Sequence, residues 1–493
     1  MIERFKEKVS KFYSDKNLFF LLSIWLLTFI FGSYIGSYSV GSFTIYPNLL
    51  IGLLFIPLFF KGIFISPKSI KIFILFLSLF LIYSFSWILI HGSNYLAFFE
   101  LRSHLFYLNT FLIILSCYYG FSSKECFTKA LKNGLWFLFA FLVIIGFVES
   151  FFHIHLLNDF YSYGEPMFIF GNPNDYFLYC LVLFLILLFV DRDCFSNFWL
   201  IISCLFALLI LAYISKARLG EFIIIILFFI ALFREVKIIK LFSKNKYYFL
   251  FLSLTFLIIV ANKLVKDDER KNFDFYSFLK TEPKIVIPTI KVSPKVIVDT
   301  IASEPLTVSE DVPVQNDTII SQLEVISDSI KKEVAIIQET PDSIKAAAVI
   351  TQKTLKFEDV SLNVRAELIL NGLDLIKKNP IFGVGPGQFQ EQNRLKNVPY
   401  DIGTNYSPHN YFIELISNYA ILGFSFFLYI FYLFIKLFKL KTETSFWLKV
   451  SLIIFFIASV LPSAFIYQPI NWLFMSIWIL YSQIEINIKS VRQ

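Results

Sequence analysis

The chain has 493 residues, of which 57% are hydrophobic and 19% aromatic, with 62 Phe and a formal net charge of +7. A mean hydropathy of +0.68 lies far outside the range of soluble globular chains, so soluble fold classes are excluded and an integral membrane protein is implied. The positive charge follows membrane topology, as shown below, and does not call for nucleic acid.

Apolar runs of about 20 residues, the length that crosses a ~30 Å hydrocarbon core, recur at 17–35, 46–65, 70–90, 104–120, 131–152, 174–190, 197–215, 219–233, 245–262, 410–435, 446–463 and 469–487. They predict an all-α polytopic membrane protein of about twelve transmembrane helices. Residues 1–16 are charged, and the run that follows is too long for a cleavable signal and has no small-residue cleavage site behind it. It reads as a retained first helix. Lys and Arg in short loops mark the cytoplasmic side. With the N-terminus inside, inner segments carry Lys6, Lys8 and Lys11, then Lys61, Lys68 and Lys71, then Lys124, Lys129 and Lys132, and further groups at 234–246, 436–441 and 489–492. The outer short loops hold only Arg102, Lys216 and Arg218. Both termini are therefore expected in the cytoplasm, with 1–262 forming helices one to nine, 263–408 one large extracytoplasmic loop, and 409–493 helices ten to twelve.

"YISKARLGEF" places Ser215, Lys216 and Arg218 at the outer end of the seventh run and the turn into the eighth. Cations this close to the bilayer usually have a partner. Two readings stay open: snorkelling to lipid headgroups, or an anionic ligand, for which the planar fork of Arg suits phosphate. "DRD" at 191–193 mimics an acidic metal motif but falls in a short inner hairpin with no domain to hold a nucleotide.

The outer loop is of two kinds. From Leu279 to Lys356 there is no Phe, Tyr or Trp, and the text is a low-complexity mixture of Pro, Ser, Thr, Val, Ile and charge. Such an insert has too little bulky apolar surface for a core and is expected to be largely disordered or loosely stranded. Order is expected to return over 362–389. There Leu362, Ala366, Ile369, Leu373 and Ile376 form one stripe of an amphipathic helix, with Arg365 at its edge. Such a helix can lie on the membrane surface. It leads into "NPIFGVGPGQF", which packs Gly383, Gly385 and Gly387 close together in a chain with only 18 glycines. A phosphate cradle of the nucleotide-binding kind fails outside the membrane, where ATP and NAD are absent and no strand–turn–helix unit surrounds the glycines. What remains is a tight re-entrant turn, with or without backbone donors offered to a ligand.

In "NYSPHNYFIELI", Ser407 reads as a helix N-cap and Pro408 as the first helical residue, with His409 and Asn410 in the first turn. The positive helix end disfavours imidazolium, so His409 should be neutral near pH 7 and able to accept a proton. A purely structural helix-end His is the alternative. All five histidines, His91, His104, His153, His155 and His409, fall at expected outer helix ends or outer loops. "HIH" at 153–155 is weak as a metal site, having no Cys and only Glu149 and Asp159 nearby. Cys117, Cys126, Cys180, Cys194 and Cys204 all sit in helices or inner loops, so no disulfide framework is implied.

"RAELILNGLDLIKKNPIFGVGPGQF", followed by "PHNYFIELISNYAILG", resembles the signature of the O-antigen ligase and O-antigen polymerase superfamily: an Arg, a helix, "NP", a Gly-rich turn, then "HN" opening a membrane helix. "SKARLG" resembles that family's Ser-x-x-Arg turn, and "FGNPNDYFLYC" its Asn-rich entry into a helix. The resemblance spans about 165 to 463, and the 279–356 insert departs from the usual loop. It implies transfer of a glycan from an undecaprenyl-pyrophosphate carrier to an acceptor outside the cytoplasmic membrane, with no metal or cofactor. The acceptor would be lipid A core, a growing glycan or a protein. It further implies Arg218 and Arg365, with Lys216, on the pyrophosphate, and His409 on the acceptor hydroxyl. Ser215, Asn410, Gly383, Gly385 and Gly387 are then substrate-binding candidates. A glycosidase would need two flanking carboxylates, and no evident pair is present. The rival from another class is a twelve-helix transporter or flippase of lipid-linked glycans, whose halves should echo one another; no echo is visible.

Overall fold

The structure, a computed structural model, describes residues 12–31, 38–40, 43–45, 47–92, 95–152, 173–191, 198–234, 360–400, 402, 410–459 and 468–492. The chain divides into two compact units, Met1–Val236 with Ile350–Gln493, and Lys237–Val349. Every described residue lies in the first. The predicted ninth span, 245–262, and the 279–356 insert lie outside the described residues.

The described part is helical apart from one short hairpin. Helices α1 (Asp15–Phe31), α2 (Pro47–Leu53), α3 (Ile56–Ile65), α4 (Lys68–His91), α5 (Tyr95–Gly120) and α6 (Lys124–Phe152) are followed by α7 (Pro173–Val190), α8 (Phe198–Ile214) and α9 (Arg218–Arg234). Then come α10 (Val360–Lys378), α11 (Gln388–Arg394), α12 (Tyr411–Tyr419), α13 (Ile421–Phe438), α14 (Glu443–Ala458) and α15 (Pro469–Arg492). The hairpin, β1 (Tyr38–Val40) and β2 (Phe43–Ile45), pairs Tyr38 with Ile45 antiparallel between α1 and α2. Among the described residues, five helices, α4, α5, α6, α7 and α13, are long and apolar enough to cross a membrane.

The described part of each predicted span other than 245–262 lies mostly in helix, and three spans differ for physical reasons. The run at 46–65 is two helices, because Pro57 near the start of α3 cannot donate to the preceding turn. The run at 104–120 begins at Tyr95, since Glu100 and Arg102 lie within the helix and do not end it. The run at 410–435 is interrupted at Ala420, whose φ of 37° and ψ of −109° are not helical.

Helix α7 is central. It is apolar on every side, as a fully enclosed helix must be, and every residue from Tyr176 to Val190 is buried among α6, α8, α14 and α15. Lipid tails are as apolar as Leu, so such helices are held by close packing and by polar bonds across helices. Here Ser451 Oγ donates to the Leu185 carbonyl at 3.0 Å, Trp478 Nε1 to Leu448 at 2.8 Å, and the Tyr429 hydroxyl to Ser69 at 2.8 Å. Phe60, Phe64, Leu89, Ile90, Phe137 and Phe438 are exposed, as side chains that face lipid must be. Asp191 of the "DRD" stretch is buried and carries a structural ion pair with Lys132 at 2.6 Å plus a bond from Trp136 Nε1 at 2.8 Å. Cys117, Cys126, Cys180 and Cys204 are free thiols.

Candidate active site

Helix α10, which carries Arg365, is amphipathic, but its buried face is not the predicted stripe. Leu368, Asn371 and Leu375 are buried, with Val364 in line, whereas Leu373 of the predicted stripe is 49% exposed. Two positions of offset along a helix turn it by about 200°, so the expected face is the outer one. Asn371 explains the reversal. It is polar yet fully buried, donating to Asn393 Oδ1 at 2.8 Å and to the Tyr400 carbonyl at 3.0 Å, and accepting from Tyr400 N–H at 3.0 Å. A satisfied buried amide costs little, and a hydropathy stripe cannot reveal it. Around it Leu368, Leu375, Val384, Phe389, Val398 and Ile402 form one core, with Val364 and Ile413 packed on it. Thus α10, the glycine turn, α11 and the start of α12 are one packed piece.

The glycine turn docks into the interruption between α12 and α13. In an unbroken helix the carbonyl of residue 417 would accept from the N–H of 421. Here Ile421 N–H goes to the Ile381 carbonyl at 3.2 Å, and the carbonyls of Ser417 and Asn418 accept from Val384 at 2.9 Å and Gly385 at 3.1 Å. The turn and the broken helix thus exchange backbone partners, which is how broken helices persist at membrane depth. The three glycines have φ of +76°, +102° and +69°, where a side chain is strained. A Cβ at Gly383 would lie 2.5 Å from the Asn418 carbonyl oxygen, one at Gly385 2.4 Å from the Trp87 ring, and one at Gly387 2.7 Å from the Leu96 backbone. Their N–H groups are engaged within the chain: Gly383 to Asn379 at 3.0 Å, Gly385 to Asn418, and Gly387 to the Glu100 carboxylate. The turn is a packing joint.

A direct test follows. Gly385→Ala keeps the N–H, so a cradle for ligand alone would leave stability untouched. Positive φ and the contact with Trp87 are instead expected to destabilise the protein by about 2–4 kcal/mol, read as a lower thermal midpoint in detergent. An unchanged midpoint contradicts the packing role.

Glu100, missed by sequence reasoning, closes the joint. It is fully buried in α5. Its carboxylate accepts from Gly387 N–H and from Asn418 Nδ2 at 3.1 Å to each oxygen, while Asn418 Oδ1 accepts from Phe389 N–H at 3.0 Å. The available signal was an acid inside a membrane helix, itself a marker of function; the short reading of the fourth span hid it. The same error placed His104 at an outer helix end. It lies within α5, buried, with Nδ1 2.8 Å from the Glu100 carbonyl and its ring against Phe80, Tyr419 and Trp472.

The cationic turn lies between α8 and α9. Ser215 is buried, and its hydroxyl donates to the Leu211 carbonyl at 2.5 Å, closing the last turn of α8. Lys216 has φ of 54°, an uncommon conformation for a non-glycine residue. Lys216 and Arg218 are exposed, and Arg218 opens α9. This turn rests on α8, α9 packs on α14, and Gly220 meets the Phe177 ring of α7. The structure therefore brings together the Arg365 helix, the three glycines and the Asn410 helix in one piece, and builds the Ser215–Lys216–Arg218 turn from other elements.

Asn410 is the N-cap of α12: extended at φ −159° and ψ 112°, its Oδ1 accepts from Ile413 N–H at 3.1 Å. This corrects the expectation that Asn410 lies inside the first turn; the helix starts at Tyr411 because Asn410 satisfies the free N–H. His409, with Ser407 and Pro408, lies outside the described residues, as do His153 and His155. Among the described residues, no group of three or more His, Cys, Asp or Glu could hold a metal ion.

These features define a polytopic helical membrane protein in which the Arg365 helix and the glycine turn meet an interrupted helix. The sequence matches the O-antigen ligase family over residues 177–428, just over half of its length, and the chain belongs to that family. The family is one of glycan-transferring membrane enzymes of lipopolysaccharide assembly. The match takes in Arg218, Arg365, the glycine turn, His409, Asn410 and Asn418, and excludes Glu100. No curated protein matches the chain.

Proposed function

We propose that this protein transfers a glycan from an undecaprenyl-pyrophosphate carrier to an acceptor at the outer side of the bacterial cytoplasmic membrane, as a ligase and without a metal ion. The observation that carries the reading is the single packed piece made by the Arg365 helix, the glycine turn and the helix capped by Asn410, within a chain of the O-antigen ligase family. Arg218 and Arg365 hold the pyrophosphate through paired charge-assisted bonds, with Lys216 adding charge from a turn that Ser215 closes. Gly383, Gly385 and Gly387 serve the substrate by letting the chain reverse between Arg365 and His409. His409 adjoins the Asn410 cap in sequence and serves as the general base.

The chemistry is one displacement. The acceptor oxygen bonds to the anomeric carbon and gives its proton to His409. The carbon–oxygen bond to phosphate breaks on the opposite face, and its electron pair leaves on the polyprenyl pyrophosphate. Inversion at the sugar follows. The leaving group is already a stable anion, so the arginines serve it by neutralising charge.

Deleting the gene is expected to strand long glycan chains on the lipid carrier, the mark of a lost ligase. Single repeat units on the carrier would instead make the protein a polymerase, and unchanged lipid-linked pools would contradict both.

A further inference from the structure

Resting on that reading, we propose that Glu100 is a positioning residue for transfer: through Gly387 and Asn418 it sets the spacing between the Arg365 helix and α12, the helix capped by Asn410. Glu100 comes from α5, outside the residues that match the family. It is nonetheless the point where the matched segments converge. Its carboxylate takes the N–H of the last turn glycine and both oxygens face Asn418 Nδ2, while Asn418 ties back to Phe389 N–H through Oδ1 and to Gly385 N–H through its own carbonyl. One acid therefore holds three pieces: α5, the turn with the start of α11, and the end of α12.

Packing alone does not call for a carboxylate. The joint needs an acceptor, since the buried Gly387 N–H would otherwise lose its partner, but a neutral amide oxygen would satisfy that N–H, and an acid inside a membrane helix is costly. What the acid supplies is direction: both of its oxygens meet N–H donors, so it selects one orientation of the Asn418 amide and one placement of Gly387. Reaction geometry is sensitive on this scale, since misplacement by 1 Å can cost about 10²-fold in rate.

The bonding pattern allows a reciprocal test. Glu100→Gln sets an amide NH2 against the Asn418 NH2, two donors face to face. Asn418→Asp sets two carboxylates against each other. The double variant restores a donor–acceptor bond between the two side chains with the partners exchanged, and keeps the bonds from Gly387 and Phe389. The new amide on α5 accepts from Gly387 through its oxygen and donates through its NH2 to the new carboxylate on α12, which still accepts from Phe389. Amide hydrogen exchange over 383–389 reports positioning, and transfer from undecaprenyl-pyrophosphate-linked glycan extracted from native membranes reports turnover. Each single variant is expected to speed exchange and to lower kcat by about 10²-fold with donor KM little changed, Asn418→Asp more severely. The double variant is expected to recover both. Faster exchange with wild-type kcat, or a folded double variant that recovers neither, overturns the proposal. A wild-type protein that shows the exchange pattern but transfers nothing identifies the transfer reading as what failed, and leaves Glu100 a residue of the fold alone.

Discussion

Replacing His409 by alanine is expected to lower glycan transfer by about 10²–10⁴-fold, the usual loss when a general base is removed. Binding of the polyprenyl pyrophosphate donor should stay near the wild-type level, because the proposed phosphate contacts are arginines. The separation matters, since a histidine that held phosphate would weaken donor binding instead. Its neighbour Asn410 is already committed to capping α12 through Ile413 N–H, so the cap and the helix should survive the change at 409. Transfer at the wild-type rate by His409→Ala would reduce the residue to a helix-end histidine.

Arg218→Lys and Arg365→Lys are each expected to cut transfer heavily while the protein still folds. Lys keeps the charge but loses the planar fork that pairs two donors with two phosphate oxygens. Both side chains stand outside the buried core. Arg218 is exposed at the start of α9, and Arg365 is half-buried beside the Val364–Leu368 face of α10, so a conservative change there should leave the packed piece intact. Donor affinity and kcat are measured together on purified variants. Full activity in either Lys variant would show that charge alone suffices at that position, as snorkelling to headgroups requires.

The helices were legible because each is a long apolar run, and helix length against bilayer thickness is a strong constraint. What stayed hidden depends on contacts distant in sequence. Nothing in "SNYAILG" announces a break at Ala420; no Pro is there, and the interruption exists because Val384 and Gly385 supply the N–H partners. The inner face of α10 was misread because Asn371, the polar residue at its centre, finds its partners in Asn393 and Tyr400. Glu100 was passed over because a charge next to an apolar run reads as the end of a span, whereas Asn418 and Gly387 make it tolerable inside one. The glycines were recognised as special, and their reason is close backbone approach to α4, α5 and α12.

The central claim is glycan transfer on one side of the membrane, and reconstitution tests it most directly. Purified protein in proteoliposomes, given undecaprenyl-pyrophosphate-linked glycan on the outer side together with lipid A core and a chelator, is predicted to yield glycan joined to the core with release of undecaprenyl pyrophosphate. Movement of the lipid-linked glycan between leaflets, with no new glycosidic bond formed, would contradict the account and identify a flippase.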